Sequence, residues 1–208
     1  MSISFNYIDT KDKDIFQEGF EAANKLFECP LKEKNKIKIR RDYHRGYEKN
    51  SLSESFLYGS NQYLKNIYPQ SLNNKNINIL EHFFYVFMEY GLLELNKLNY
   101  FKNSISELNN PRIKISKYFN KTLSQVVCGE HYDFGILTLN ISSNNNELEF
   151  KKGNNWKFIS EKSKLGYISF PGKQSEILSS SKKKSIIHRV KNKSNIERIS
   201  FSLFLEHK

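Results

Sequence analysis

The sequence predicts an α+β protein that is mainly β, with helices in its first half and a jelly-roll-like sandwich in its second half. Before residue 110, apolar side chains recur at intervals of three and four residues in two long segments, which is the spacing of amphipathic helices. After Pro111 the pattern changes to eight short runs of alternating polarity with turn-forming residues between them, as in a sandwich or jelly roll. The chain has 208 residues, 38% of them hydrophobic, so we expect residues 1–208 to form a single domain.

One amphipathic helix is predicted near the start of the chain. Residues 10–28 carry apolar side chains at spacings of one, three and four residues. Asp9 or Thr10 can cap the first turn, and Pro30 prevents the helix from continuing. Residues 36–70 are polar and irregular in pattern, so no regular element is predicted there.

A second, longer helix is predicted over residues 77–100. Gly91 lies inside it and is expected to bend or weaken it, because an interior glycine costs about 1 kcal/mol relative to alanine. Residues 1–110 are therefore expected to be a helical N-terminal part that packs against a β core formed by residues 111–208.

The second half is predicted to contain eight short strands. Residues 144–146 and 153–155 have the composition of turns and separate some of these strands. Residues 179–184, three serines followed by three lysines, are interpreted as an exposed hairpin loop. The predicted strands cover residues 112–119, 126–128, 134–141, 148–150, 157–159, 166–170, 185–191 and 198–205.

The chain is strongly basic, with a formal net charge of +11, but its composition does not favour a nucleic-acid partner. Of the 33 basic residues 27 are lysine and six are arginine, and the only dense basic run is at 182–184. No nucleic-acid-binding motif accompanies that run. We interpret the charge as a lysine-rich solvated surface, since net charge affects solubility and non-specific binding more than fold. A basic nucleic-acid-binding module remains an alternative function of a different class.

Membrane insertion, secretion and disulfide bonding are not expected. The sequence has no run of about 18 apolar residues, and its first residues lack a basic region followed by an apolar stretch. Cys29 and Cys128 lie 99 positions apart, without the paired spacing of a zinc site or of a disulfide framework. We therefore expect two ordinary thiols in a cytoplasmic protein.

A candidate metal site centres on His131 and Asp133. In an extended backbone, residues two positions apart point to the same side, so this imidazole and this carboxylate can converge on one point. They would supply two thirds of a facial 2-His-1-carboxylate iron site, which leaves coordination positions open for substrate and oxygen. The third ligand must come from another strand. His188 is the candidate, because alternation places it with Ile186 and Val190 on one apolar face.

A candidate carboxylate-binding pair follows ten residues after His188. Alternation directs Arg198 and Ser200 to one face of the last predicted strand. A guanidinium offers a bidentate fork to a carboxylate, and the serine hydroxyl adds one more donor. This pair alone says little, but its position behind His188 gives it weight.

The segments that carry these residues resemble a known family. In order along the chain they are HYDFGILTL at 131–139, SIIHRV at 185–190 and ERISF at 197–201. Weaker similarities lie earlier, at 5–8, 27–34, 45–47, 54–56 and 66–69. Together they resemble the isopenicillin N synthase-like family of 2-oxoglutarate- and iron(II)-dependent oxygenases, and the resemblance covers nearly the whole chain.

The resemblance implies a double-stranded β-helix that holds Fe(II) through His131, Asp133 and His188. It implies that 2-oxoglutarate chelates the iron while its far carboxylate pairs with Arg198 and Ser200. Tyr118 occupies the place of a family tyrosine that contacts the same carboxylate. The implied reaction uses O2, converts 2-oxoglutarate to succinate and CO2, and usually hydroxylates the substrate, with the protein binding and orienting the reactants around the metal.

The resemblance also frames the substrate and one alternative activity. It implies a small-molecule substrate, such as an amino acid, a peptide or a specialised metabolite, with Tyr43, His44 and Arg45 as candidate contacts near the pocket mouth. Ser116 and Phe119 depart from the residues usual at their positions, so the loop near the co-substrate can be shaped differently. Isopenicillin N synthase itself works without 2-oxoglutarate and keeps the Arg-x-Ser pair. A 2-oxoglutarate-independent iron oxidase or cyclase is therefore the alternative within the family.

Overall fold

The computed structural model describes residues 3–38, 45–59, 65–98, 108–109, 111–119, 122–143, 147–158, 165–180 and 183–207. In these segments the helices are α1 Lys13–Glu28, α2 Leu31–Lys36, α3 Asn74–Asn96 and α4 Lys173–Leu178. The strands are β1 Ser4–Tyr7, β2 Gly46–Lys49, β3 Ser53–Gly59, β4 Arg112–Tyr118, β5 Val126–His131, β6 Leu137–Ser142, β7 Leu148–Lys152, β8 Asn155–Phe158, β9 Gly166–Pro171, β10 His188–Lys191 and β11 Arg198–Leu205. None of the helices in these segments is long and apolar enough to cross a membrane.

The strands form two antiparallel sheets. The larger sheet has the order β1-β9-β6-β11-β4-β3-β2, and the smaller one has the order β5-β10-β7-β8. Side chains of both sheets share one apolar cluster, in which Phe150 of the small sheet contacts Phe170 of the large sheet at a ring distance of 5.3 Å. The predicted α+β, mainly β class is confirmed. The finer assignment to a double-stranded β-helix stays a prediction.

The other face of the large sheet is covered by α1 and α3. Alternation along β11 sends Ile199, Phe201 and Leu203 into the main core, where the ring of Phe201 lies 4.2 Å from that of Phe83 on α3. Phe16 of α1 packs edge-on against Phe83 at 5.0 Å. The polar residues between them on β11 consequently face the small sheet, which is where the candidate site lies.

The prediction that residues 36–70 lack regular structure is wrong, because β2 and β3 lie there and extend the large sheet beyond β4. The pattern is hidden because a buried polar residue takes an apolar position. Glu54 is 5% exposed and accepts hydrogen bonds from Lys34 at 2.8 Å and from the Tyr47 hydroxyl at 2.6 Å. A paired carboxylate can occupy a buried position that a lone carboxylate cannot.

Other boundaries also differ from the prediction. The first helix begins after a short 3-10 turn at Thr10–Asp12, and neither Asp9 nor Asp12 makes a side-chain capping bond at its helix start; the Asp12 carboxylate accepts from the Tyr90 hydroxyl instead. Residues 179–184 were expected to be an exposed hairpin loop. In the described part, α4 precedes this segment and Ser179 is buried, with its hydroxyl accepting from the Lys183 N–H at 2.9 Å.

Gly91, which the sequence predicts to bend or weaken the second helix, lies within α3. The helix is continuous through it, and a Cβ atom at this position would lie 2.6 Å from the Leu203 side chain on β11. The glycine therefore allows close packing of the helix on the sheet.

We expect Gly91→Val to lower the free energy of unfolding by about 1–3 kcal/mol, because the added atoms overpack this contact. Urea unfolding measures the change. Leu93→Val is the matched control: it introduces the same β-branched residue two positions away at a site that is 58% exposed, and it should change stability by less than about 0.5 kcal/mol. Equal stability of Gly91→Val and the wild type would show that the close contact does not limit packing.

Candidate metal centre and co-substrate pocket

The three predicted metal-ligating side chains converge between the sheets. His131 ends β5 and His188 begins β10, and the two residues pair directly across these antiparallel strands. Asp133 lies in the loop between β5 and β6, not in a strand as the alternation argument assumed. It is held by the Thr138 hydroxyl, which donates to Oδ2 at 2.6 Å, and by its own carbonyl, which accepts from the Lys173 N–H at 2.9 Å. Strand pairing thus positions the two imidazoles. The two hydrogen bonds of Asp133 hold its loop so that the carboxylate points toward them.

The geometry of this cluster suits a divalent metal ion. His131 Nε2 lies 3.6 Å from Asp133 Oδ1, and His188 Nε2 lies 3.7 Å from Asp133 Oδ2. One ligand atom from each residue lies within 4.8 Å of the others, and this is the only such group of His, Cys, Asp and Glu found among the described residues. Two imidazoles and one carboxylate on one side of a metal leave the other side open for further ligands.

The hydrogen bond at Nδ1 of each imidazole determines which of its nitrogens can bind a metal ion. His131 Nδ1 lies 2.8 Å from the Gly129 carbonyl, and His188 Nδ1 lies 3.1 Å from the Ile186 carbonyl. A carbonyl oxygen only accepts, so Nδ1 carries the proton in both contacts and Nε2 is left as the ligand atom. Both Nε2 atoms are also the nitrogens nearest Asp133. The residues present therefore fit a metal such as Fe(II).

The surroundings of Asp133 and His188 shift their pKa values so that both are in the protonation state that binds a metal ion. Burial raises the pKa of Asp133, but hydrogen bonding to His131 and Thr138 and the charge of His188 outweigh burial and leave that pKa below its ordinary value. Burial lowers the pKa of His188. The hydrogen bond to Asp133, followed by the contact with Cys128, raises the pKa of His131 to about 10. At neutral pH the carboxylate is thus ionised and His188 neutral, while His131 keeps a proton that a metal ion must displace.

Metal binding at this cluster should therefore release a proton, because imidazole binds a metal only in its neutral form. Between about pH 6.5 and 8.5, which lies below the pKa of His131, the apparent affinity for Fe(II) should rise by up to about tenfold per pH unit. Anaerobic titration calorimetry in buffers of different ionisation enthalpy measures both the affinity and the protons released. An affinity that does not change over this range would contradict the proton displacement.

The candidate carboxylate-binding residues lie on the large sheet, on the face that is turned toward the small sheet. Arg198 is 2% exposed, and its guanidinium carbon lies 4.6 Å from the centre of the Tyr118 ring. Ser200 lies next on this face of β11, opposite Ser116 of β4. Burial lowers the pKa of Arg198 while Tyr118 and Glu147 act to raise it. Even so, a guanidinium remains charged at any physiological pH.

The candidate metal ligands and the candidate carboxylate-binding residues line the same cavity, of about 110 Å³. Two sequence motifs separated by more than 50 residues are thus brought together by the sandwich. The residues of the predicted sets that line it are Tyr118, His131, Asp133, His188, Arg198 and Ser200. A larger cavity of about 450 Å³ lies on the helix side, next to α3, but no group that could hold a metal lies there within the described chain.

The structure describes one of the three proposed substrate contacts. Tyr43 and His44 lie outside the described residues. Arg45 is described, and its guanidinium lies against Gly59, not on the wall of the 110 Å³ cavity. The sequence did not predict a role for two residues near the candidate site: Thr138, which donates a hydrogen bond to Asp133, and Glu147, which pairs with Arg198. Thr138 follows Asp133 closely enough for its polar position on a core strand to be a signal, whereas nothing local marks Glu147.

Comparison with known proteins identifies the family. Residues 97–207 match the family described as the 2OG-Fe(II) oxygenase superfamily, so more than half of the chain is covered. The chain belongs to this superfamily, and its members use Fe(II), 2-oxoglutarate and O2. A search of the curated proteins found no match.

Several solved structures share the fold. A full-length protein from Neurospora crassa, in complex with alpha-KG and 5-formyluracil, has a TM-score of 0.84 at 18% identity, over 99% of this chain and 74% of that one. A putative 2OG-Fe(II) oxygenase family protein from Caulobacter crescentus has a TM-score of 0.82 at 18% identity, over 99% and 77% of the two chains. The dioxygenase for auxin oxidation in rice has a TM-score of 0.69 at 16% identity, over 93% and 69%. At these identities the likeness concerns the fold.

Proposed function

We propose that the protein is an Fe(II)- and 2-oxoglutarate-dependent dioxygenase that hydroxylates a small-molecule substrate while 2-oxoglutarate is converted to succinate and CO2. His131, Asp133 and His188 would hold the iron, and Arg198, Ser200 and Tyr118 the far carboxylate of 2-oxoglutarate. The observation that carries the proposal is that both groups of residues line one cavity between the two sheets. We also propose that residues 1–208 form a single domain, which is supported by the core that α1, α3 and the large sheet share.

The metal ion and the protein would have separate roles in the reaction. When bound, iron supplies the oxidative chemistry with O2, and the protein binds, orients and excludes water. Arg198 lies at the first residue of β11, whereas the metal-ligating cluster lies beside Thr138, which pairs with Phe204 near the other end of that strand. The cavity that both sets line would hold 2-oxoglutarate, with the metal-ligating cluster facing its keto-acid end and Arg198 facing its far carboxylate. Its volume of about 110 Å³ is small compared with the usual 300–1,000 Å³ of ligand pockets, which leaves little room for a substrate beside 2-oxoglutarate. The substrate would therefore approach the metal from outside the cavity, on the side where His131 is exposed.

The substrate class follows from a direct assay. Purified protein, Fe(II), ascorbate and 2-oxoglutarate are combined with a panel of amino acids, short peptides, thymine and uracil derivatives, and auxin. Succinate formation that one compound stimulates, with that compound oxidised in equal amount, is the expected result. Substrate oxidation that proceeds without consumption of 2-oxoglutarate would instead identify an oxidase like isopenicillin N synthase. A metal-loaded protein that neither binds nor consumes 2-oxoglutarate would overturn the proposal.

A further inference from the structure

Arg198 has a carboxylate partner within the protein. Its Nε atom lies 3.3 Å from Oε2 of Glu147, and both residues are only 2% exposed. Glu147 immediately precedes β7 of the small sheet, while Arg198 begins β11 of the large sheet. The ion pair therefore spans the two sheets at the end of the cavity where the far carboxylate of 2-oxoglutarate is proposed to bind.

Glu147 is held in place independently of Arg198. Its Oε1 accepts a hydrogen bond from the Lys193 N–H at 2.9 Å, and its backbone carbonyl accepts from the Lys191 N–H at 3.1 Å. The contact with Arg198 is not aligned as a hydrogen bond, since Nε has no such partner among the described residues. The interaction is thus mainly one of charge, between a carboxylate anchored by backbone groups and a buried guanidinium.

Building on the proposed function, we propose that Glu147 is the internal counter-ion of the co-substrate site and limits its affinity for 2-oxoglutarate. The guanidinium of Arg198 is shared between two carboxylates when 2-oxoglutarate is bound. These carboxylates repel each other across one buried cation, and the weak dielectric screening between the sheets strengthens that repulsion. Without 2-oxoglutarate, Glu147 neutralises Arg198 and spares the protein an unpaired buried charge.

Removal of the Glu147 charge should have opposite effects on the two states of the protein. Without 2-oxoglutarate, Arg198 would be a buried charge without its counter-ion, which is strongly unfavourable. With 2-oxoglutarate, the far carboxylate would serve as the counter-ion without a competing anion. The variant should therefore be less stable than the wild type alone and should bind 2-oxoglutarate more tightly, by thermodynamic linkage.

The experiment measures 2-oxoglutarate binding to Fe(II)-loaded protein without O2, by titration calorimetry and by the shift in Tm. Glu147→Gln should bind about tenfold more tightly than the wild type. Glu147→Asp, which retains the charge but withdraws it by one methylene, should show a smaller gain, and it carries the test if the glutamine variant does not fold. Binding of 2-oxobutyrate, which lacks the far carboxylate, should not change in either variant.

Glu149→Gln is the matched control. Glu149 lies on β7, two residues after Glu147, is 5% exposed and pairs with Arg189 at 2.6 Å. Arg189, unlike Arg198, does not line the cavity. Removal of the Glu149 charge should lower Tm without changing 2-oxoglutarate affinity. Unchanged or weaker 2-oxoglutarate binding in the Glu147 variants, with normal binding by the wild type, would overturn this inference alone. Absence of 2-oxoglutarate binding by the wild type would overturn the proposed function and the inference with it.

Discussion

Replacement of His131 by alanine is expected to abolish succinate formation and to weaken Fe(II) binding by more than about 100-fold, a larger effect than loss of a group that only supports a ligand. The reason is that His131 supplies one of three converging ligand atoms, and its Nδ1 contact with Gly129 leaves Nε2 available for the metal. The side chain is 41% exposed, so its removal leaves no buried cavity and should preserve the fold. Anaerobic metal titration and a 2-oxoglutarate turnover assay measure the two effects.

His82→Ala is the matched control for this variant. It removes an imidazole from the exposed face of α3, far from the metal-ligating cluster in sequence and on the opposite side of the large sheet. Metal binding and turnover should equal those of the wild type. Turnover that survives in His131→Ala, with circular dichroism showing an intact fold, would mean that the metal ligands are assigned to the wrong residues.

Replacement of Arg198 by methionine is expected to have two separable effects. The KM for 2-oxoglutarate should rise by at least about 100-fold, because the charge-assisted pairing with the far carboxylate is lost. The protein should also lose about 3–5 kcal/mol of stability, because removal of the guanidinium breaks its buried ion pair with Glu147. Turnover as a function of 2-oxoglutarate concentration and urea unfolding measure the two effects.

The double variant Arg198→Met/Glu147→Gln separates them. Removal of both charges should recover most of the lost stability, since neither ion of the broken pair remains. It should not restore the use of 2-oxoglutarate. Recovery of normal KM in the double variant would show that Arg198 does not bind the co-substrate, whereas a single variant with unchanged KM would place the far carboxylate elsewhere in the cavity.

Much of the site can be predicted from sequence because strands alternate. The two-residue spacing of Arg198 and Ser200 places both on one face of β11, and the intervening Ile199 enters the main core, as the structure shows. The apolar spacing of the first helix likewise predicts the face that Phe16 buries. The His131–Asp133 spacing predicts that the two side chains converge, as they do, but the reason is incomplete, since Asp133 lies in the loop after β5 and is oriented by Thr138.

The remaining features depend on contacts between distant segments. β2 and β3 are hidden in a polar stretch because Glu54 is buried with Lys34 and Tyr47, a combination that no local pattern announces. Likewise, Gly91 is interpreted from propensity as a weak point of α3, although its neighbour on β11 requires the absence of a side chain.

Local periodicity determined which face of each strand or helix a side chain occupies, and so placed Arg198 and His188 on inward faces. Tertiary structure decided which side chains meet there. The strand register set His188 opposite His131, and the packing of the two sheets set Glu147 beside Arg198. The physical reason is that the direction of a side chain follows from its own backbone, whereas its partner follows from strand register and sheet packing across the whole chain.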